Sequence, residues 1–279
     1  MPSFAQLDAA AQAAFDRDGY LFQRGCFARD EIALCNRIIA TDPAIQGSRL
    51  KLEDAEGGST ELALWNHPGE DVFGMIARCR RVAGGAERLL GGEVYHYHSK
   101  LTMKRPGGGG RWEWHQDYGY WYQNGCLWPD LLSVAIALEP ATRENGCMQL
   151  LKGSHKLGRI EHGRVAGQTG ADPERVEQAM KRLELVHGEM APGDALFFHC
   201  NTLHCSAANL SDRSRNLLIC CYNKATNDPY KLHHHPGYTR LEMVPDEAVL
   251  AAGDRLADAG GRWFLEAGED ETAEVRRAG

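Results

Sequence analysis

The residues of this chain best suited to chemistry lie in two strings, His115-Gln116-Asp117 and a later stretch running from His199 to Arg215. On an extended strand, residues i and i+2 point the same way, so the His115 imidazole and the Asp117 carboxylate can converge on one cation. Two ligands from one strand need a third from elsewhere, and the segment GDALFFHCNTLHCSAANLSDRSRN offers His199 and His204. Two imidazoles and one carboxylate on one face of an octahedral ion leave three positions open, which suits non-haem Fe(II) oxygen chemistry. Arg215 follows His204 by eleven residues. A following strand can bring its guanidinium back beside the metal, where it forms a natural fork for a carboxylate. Ser206, two residues after His204, shares that histidine's face and adds a hydroxyl.

The elements that must position these groups are legible in outline. Apolar spacing predicts helices over 5–17, capped by Gly19, over 30–40, and over 71–83, stopped by Gly84-Gly85. From Gly92 the period changes to two. In EVYHYHSKLTMK, Tyr95, Tyr97, Ser99, Leu101 and Met103 share one face, while His96, His98, Lys100, Thr102 and Lys104 share the other. A face this polar either meets water or lines a polar cavity. Further strands are expected at 133–138, 147–151, 195–200 and 216–222, with a helix opening at Asp172-Pro173. Short strands behind a helical start predict a mainly β sandwich or jelly roll with helical buttresses. One domain is expected over 1–279: a helical part over 1–91, a jelly-roll core over 92–225 and an extension over 226–279. In the extension, 246–252 reads as a short helix ended by Gly253, Trp263, Phe264 and Leu265 as docking residues, and the closing GEDETAEVRRAG as frayed.

Composition narrows the function classes. The 279 residues are 43% hydrophobic and 25% charged, ordinary for a folded globular chain. With 31 Lys and Arg against 38 Asp and Glu, the net charge of -7 argues against nucleic-acid and anionic-membrane partners. No apolar run approaches the roughly 20 residues that span a bilayer. The first residues lack the basic flank and apolar stretch of a secretory signal, so a cytoplasmic protein is expected. Nine cysteines, an odd count without a Cys-x-x-Cys pair, read as reduced, buried thiols. His233-His234-His235 looks like a metal tract, yet neighbours on an extended chain point alternately and cannot all face one ion. It is expected to be a loop near the site mouth.

HQD, NGCMQLLKGSH and PGDALFFHCNTLHCSAANLSDRSR, together with the opening FDRDGYLFQRGCFARDEIALCNRII, resemble the phytanoyl-CoA dioxygenase-like family of Fe(II)/2-oxoglutarate oxygenases. The likeness runs from about residue 15 to 225. It implies a double-stranded β-helix (jelly roll, cupin-like), with Fe(II) held by His115, Asp117 and His204, which prefers His204 to His199. It also implies 2-oxoglutarate bound through its distal carboxylate by Arg215 and Ser206, with O2 as the other co-substrate. Set against the ectoine hydroxylases of the same broad family, Lys100, Thr102 and Ser133 fall where side chains help hold the oxo-acid. Trp121 falls near the substrate, and His98 and Tyr118 join it as substrate-facing candidates. The aromatics from Tyr118 to Tyr122 read as a pocket wall or as a cage for a quaternary ammonium. The retained carboxylate of Asp117 favours hydroxylation, or a related desaturation or cyclisation, over halogenation. The implied reaction is hydroxylation of an unactivated C–H of a small polar metabolite, with release of succinate and CO2. Three alternatives remain: an isomerase or lyase using the same metal face, which gives Arg215 no task; an acyl-CoA hydroxylase, which wants a broader basic surface; and a binding or sensing module that kept the fold, which needs no oxygen site. A monomer or a homodimer fits equally well.

Overall fold

A computed structural model describes residues 7–257, 259–269 and 276–277. α1 (Ala9–Asp18) is capped by the Asp8 carboxylate, which accepts from the Ala11 N–H at 2.8 Å. It ends on Gly19 at φ +81, where a Cβ would sit 2.3 Å from the His155 ring. The chain continues into β1 (Tyr20–Gln23), α2 (Arg29–Thr41) and α3 (Pro43–Gly47), the last capped by Asp42. Leu34, Cys35, Ile38 and Ile45 are the buried stripe of this helical pair.

The first third is less helical than its composition predicts, because β2 (Leu50–Glu53) and β3 (Ser59–Trp65) also lie in it. β2 is four residues long, and β3 is buried continuously from Leu62 to Trp65, so neither gives a clean period. The helix expected over 71–83 is broken. α4 (Val72–Arg78) stops where Cys79 turns extended and bridges to Val244 of the C-terminal extension. A π-helical turn over Arg80–Gly84 then leads into α5 (Gly85–Leu90). Gly85 therefore continues a helix instead of stopping one; a Cβ on it would come within 3.0 Å of the Phe197 ring.

The remaining strands are β4 (Val94–Lys104), β5 (Trp112–His115), β6 (Leu131–Ala137), β7 (Met148–Leu151), β8 (His162–Val165), β9 (Gln168–Ala171), β10 (Leu185–Gly188), β11 (Ala195–His199), β12 (His204–Ser206), β13 (Arg215–Lys224) and β14 (Arg276–Arg277). Helices α6 (Asp117–Gln123), α7 (Pro173–Met180), α8 (Ala248–Ala251) and α9 (Ala259–Arg262) complete the chain. An eight-stranded sheet runs β1-β11-β6-β13-β4-β3-β2-β14, and a four-stranded sheet runs β10-β7-β12-β5. The two form a double-stranded β-helix. Between them pack Leu150, Phe198, Ala135 and Ile219, while Phe73, Ile38, Phe197 and Leu218 belong to the core between the larger sheet and the helices. Most of the tail expected to fray lies outside the described residues, but Arg276–Arg277 pairs antiparallel with β2.

The two-fold alternation expected along β4 holds from His98 to Lys104 and fails before it. The ladder with β13 pairs His98 with Cys221 and His96 with Tyr222, so Tyr97 is an extra residue, a bulge. The slip reverses the faces. Tyr95 and Tyr97 join the core between the sheets, and His96 turns toward Tyr222 and the helices.

Past α8 the extension docks through Leu265, whose N–H donates to the Leu64 carbonyl, and through Phe264 against Trp65. Trp263 stays partly exposed and stacks on His67. Fully buried Arg262 lies over Trp65 and pairs with Asp71. All nine cysteines are free and buried, and desolvation pushes every thiol pKa upward.

Candidate active site

His115 closes β5 and pairs directly with His204 on β12, which sets the two imidazoles side by side with centroids 4.1 Å apart. Asp117 is not on the strand, as the spacing predicts, but is the first residue of α6. Gln116 is still extended, so the i, i+2 convergence survives the change of element. Asp117 Oδ1 stands 3.9 Å from His115 Nε2 and 3.8 Å from His204 Nε2, and the three side chains are buried. Among the described residues, this is the only cluster of His, Cys, Asp and Glu side chains that brings three ligand atoms this close.

Each histidine is held by its other nitrogen. His115 Nδ1 donates to the Glu113 carbonyl at 2.7 Å and His204 Nδ1 to the Thr202 carbonyl at 2.9 Å. A carbonyl only accepts, so the proton is on Nδ1 and both Nε2 lone pairs are free to bind a cation. Burial lowers the pKa of both imidazoles, and for His115 the neighbouring His204 lowers it further. The Ser133 hydroxyl donates to Asp117 Oδ2 at 2.7 Å, leaving Oδ1 toward the histidines. Expected beside an oxo-acid, Ser133 is thus committed to the carboxylate. His199, the rival ligand, lies on the larger sheet; its Nδ1 accepts the Asn201 N–H and its ring neighbours Phe15 and His155.

Beside this face β13 begins with Arg215, paired in register with Lys104 of β4. Arg215 is 3% exposed; its Nη1 donates to Thr102 Oγ1 at 3.3 Å, and its Nε has no partner. Burial pushes its pKa down to about 10, against upward pulls from Cys147 and Glu139. Lys104, fully buried, donates to Ser206 Oγ at 2.8 Å and to the Ala207 carbonyl. Desolvation and Arg215 together hold its pKa well below the usual lysine value. A buried guanidinium and a buried lysine amine, hydrogen-bonded only to neutral groups, make a pocket for an anion. Lys104 is the residue that spacing arguments passed over. It sits on the polar face with Lys100 and Thr102, and a lysine predicted to point into a lumen is the signal that could have found it.

Trp121 lies one helical turn beyond Asp117 and meets His98 at 5.8 Å and Tyr97 at 5.5 Å between ring centroids. His98 is 3% exposed and its Nδ1 has no partner. Lys100 reaches within 5.5 Å of the Trp112 ring and lowers the pKa values of His98, His115 and His204, so its charge is felt across the site. Tyr118 commits its hydroxyl to the Cys126 and Leu127 carbonyls and packs its ring on Tyr122.

The donor set fits a divalent first-row metal: two oriented neutral imidazoles, a fixed carboxylate, and no competing cation among its direct hydrogen bonds. The orphaned Arg215 Nε and the lysine beside it fit the distal carboxylate of an oxo-acid. A jelly roll holding such a face in its lumen is, by class, a cupin-like non-haem oxygenase. The chain belongs to the phytanoyl-CoA dioxygenase (PhyH) family, whose pattern matches residues 15–217. It is 30% identical to an L-proline trans-4-hydroxylase of Streptomyces griseoviridis, over 88% of this chain and 97% of that one. It is 29% identical to an ectoine dioxygenase of Stutzerimonas stutzeri (strain A1501), over 80% and 79% of the two chains. The crystal structure of EctD from S. alaskensis with 2-oxoglutarate and 5-hydroxyectoine superposes with a TM-score of 0.72 at 25% identity, covering 88% of this chain and 91% of that one.

Proposed function

We propose that this chain is an Fe(II)- and 2-oxoglutarate-dependent dioxygenase that hydroxylates an unactivated C–H of a small polar metabolite. The observation that carries the reading is the pairing of the oriented His115, Asp117 and His204 face with an unsatisfied, buried Arg215 Nε. When bound, iron and the oxo-acid supply an O2-dependent decarboxylation that yields succinate and CO2 and delivers one oxygen atom to substrate. The protein's own residues do the rest. His115 and His204 present neutral nitrogens because their Nδ1 protons are engaged by carbonyls. Ser133 fixes one oxygen of Asp117, so that the other serves the metal. Arg215 offers a rigid fork to the distal carboxylate, with Thr102, Ser206 and Lys104 close about it.

Trp121 and His98 form the substrate wall, with Tyr118 behind them in the core. A site this enclosed takes a compact molecule, and L-proline and ectoine, the compounds in the names of the relatives, are of that size. No helix among the described residues is long and apolar enough to cross a membrane. The net charge of -7 supports a reading without nucleic-acid partners, and we read the chain as a cytoplasmic, single-domain enzyme acting as a monomer or homodimer. The test is an anaerobic titration with Fe(II) and then 2-oxoglutarate, followed by the visible charge-transfer band of a chelated oxo-acid. The band is expected in the native chain and absent in His204→Ala. If iron binds and no band forms, a metal isomerase or lyase becomes the better account.

A further inference from the structure

The His233 and His235 side chains have separate tasks, and His234 contributes its main-chain carbonyl. The segment carrying them is stapled to the loop after α6: Asn227 exchanges hydrogen bonds with the Trp128 backbone at 3.1 and 2.8 Å, and the Tyr230 N–H donates to the Gly125 carbonyl at 3.2 Å. This brings His235, 6% exposed, onto His98, ring on ring at 4.4 Å and 14°, and within 4.7 Å of Tyr97. His233 Nδ1 accepts the His235 N–H, so its proton is on Nε2 and is donated to the Tyr97 hydroxyl at 3.2 Å. His233 braces the bulge residue. His235 completes the wall formed by His98 and Trp121.

The protonation of His235 follows from one buried amide. Asn66, 1% exposed, donates Nδ2 to the His234 carbonyl at 2.6 Å. A carbonyl cannot donate, so the amide has only one orientation, and its Oδ1 faces His235 Nδ1 at 2.8 Å. Oδ1 accepts, so His235 carries its proton on Nδ1. The same residue's main-chain carbonyl accepts from His96 Nδ1 at 3.2 Å, and His96 Nε2 accepts the Ser99 hydroxyl at 2.8 Å. The clamp is therefore anchored in β4 itself. Neutral imidazole has one donor and one acceptor, so His235 Nε2 is a lone pair.

We propose that His235 is a substrate-recognition residue, locked by Asn66 as the Nδ1–H tautomer so that its Nε2 accepts an N–H or O–H group of the substrate. The proposal rests on the oxygenase reading and sharpens it: the substrate presents a hydrogen-bond donor on the His98–His235 side, as an amino acid or a cyclic amidine does. Asn66 acts through His235 and is a positioning residue. Burial keeps both stacked imidazoles neutral, in keeping with their contact, since two protonated rings would repel.

Two measurements test it on the full-length chain. Long-range 15N–1H NMR of the histidines is expected to report Nδ1–H for His235 in the native chain, a shift toward Nε2–H in Asn66→Ala, and recovery of Nδ1–H in Asn66→Asp, which keeps the acceptor. Finding Nε2–H in the native chain overturns the proposal. In the second, succinate release by the Fe(II)-loaded enzyme is followed with L-proline or ectoine as probe. His235→Phe, which keeps the stack and removes the acceptor, is expected to raise the probe KM about tenfold, the loss of one buried hydrogen bond. The 2-oxoglutarate band, read in the same variant, separates a lost contact from a collapsed centre. A probe KM within about twofold of native in His235→Phe overturns the recognition role, as does the absence of stimulation by either probe where the band is intact. Loss of the band in the native chain overturns the oxygenase reading instead.

Discussion

In the oxygenase reading, Ser133 acts at one remove from the metal. Its hydroxyl takes up the second oxygen of Asp117, so Ser133→Ala leaves that oxygen free to swing out of the face. Removing such an outer partner typically costs roughly 10- to 100-fold in metal affinity, and Fe(II) titration of the variant is expected to fall in that range. Arg215 is the next separable residue. Its planar fork, already engaged by Thr102, suits a carboxylate in a way an ammonium cannot match. Arg215→Lys is expected to raise the 2-oxoglutarate KM by ~10- to 100-fold, corresponding to about 1.5–3 kcal/mol for a charge-assisted hydrogen bond. The KM measured from succinate release checks it; a native value would take the distal carboxylate away from Arg215.

At the scale of elements, the turn from β5 into α6 is what sets His115 and Asp117, the two candidate ligands of the HQD string. Gln116 is fully buried between them, and its side chain ties the Gly158 and Asn201 carbonyls and the Ile160 N–H together. Its own N–H donates to His162 Nε2 at 2.9 Å, and Gly119 lies flat on that imidazole, where a Cβ would come within 2.4 Å of the ring. Gly119→Ala must displace His162 and with it the turn. A stability loss of about 1–3 kcal/mol, read by denaturant titration, is expected, with weaker Fe(II) binding. The convergence of His115 and Asp117 was legible because an i, i+2 pair needs only an extended Gln116, whatever Asp117 does next. The polar face from His98 to Lys104 was legible for the same reason. Tyr97 was not: a bulge is a mismatch between two strands, and one strand's own alternation carries no trace of what β13 does between Cys221 and Tyr222. The break at Cys79 was hidden likewise, since a partner more than a hundred residues away draws the chain out of its helix.

Across the whole molecule, buried neutral histidines make stability depend on pH. His96 is held down to about 3 and His199 to about 4, both chiefly by desolvation. The unfolded chain protonates them near 6.5 and the native chain does not, so stability is highest above that value and declines as pH falls toward 4. Each contributes a slope of up to about 1.4 kcal/mol per pH unit, and the melting temperature of the metal-free chain is expected to drop steadily across this interval. The C-terminal extension is a second global support. Arg262→Ala leaves Asp71 buried and unpaired, a loss of roughly 3–5 kcal/mol, and is expected to lower the melting temperature by on the order of 10 °C. The nine buried thiols have a further use. Eight of them are spread through both cores and Cys205 is buried on β12; shifted by burial toward the unreactive protonated form, they meet an alkylating reagent only when the chain around them opens. The protein thus carries nine clocks, and the order in which they are labelled maps which layer lets go first.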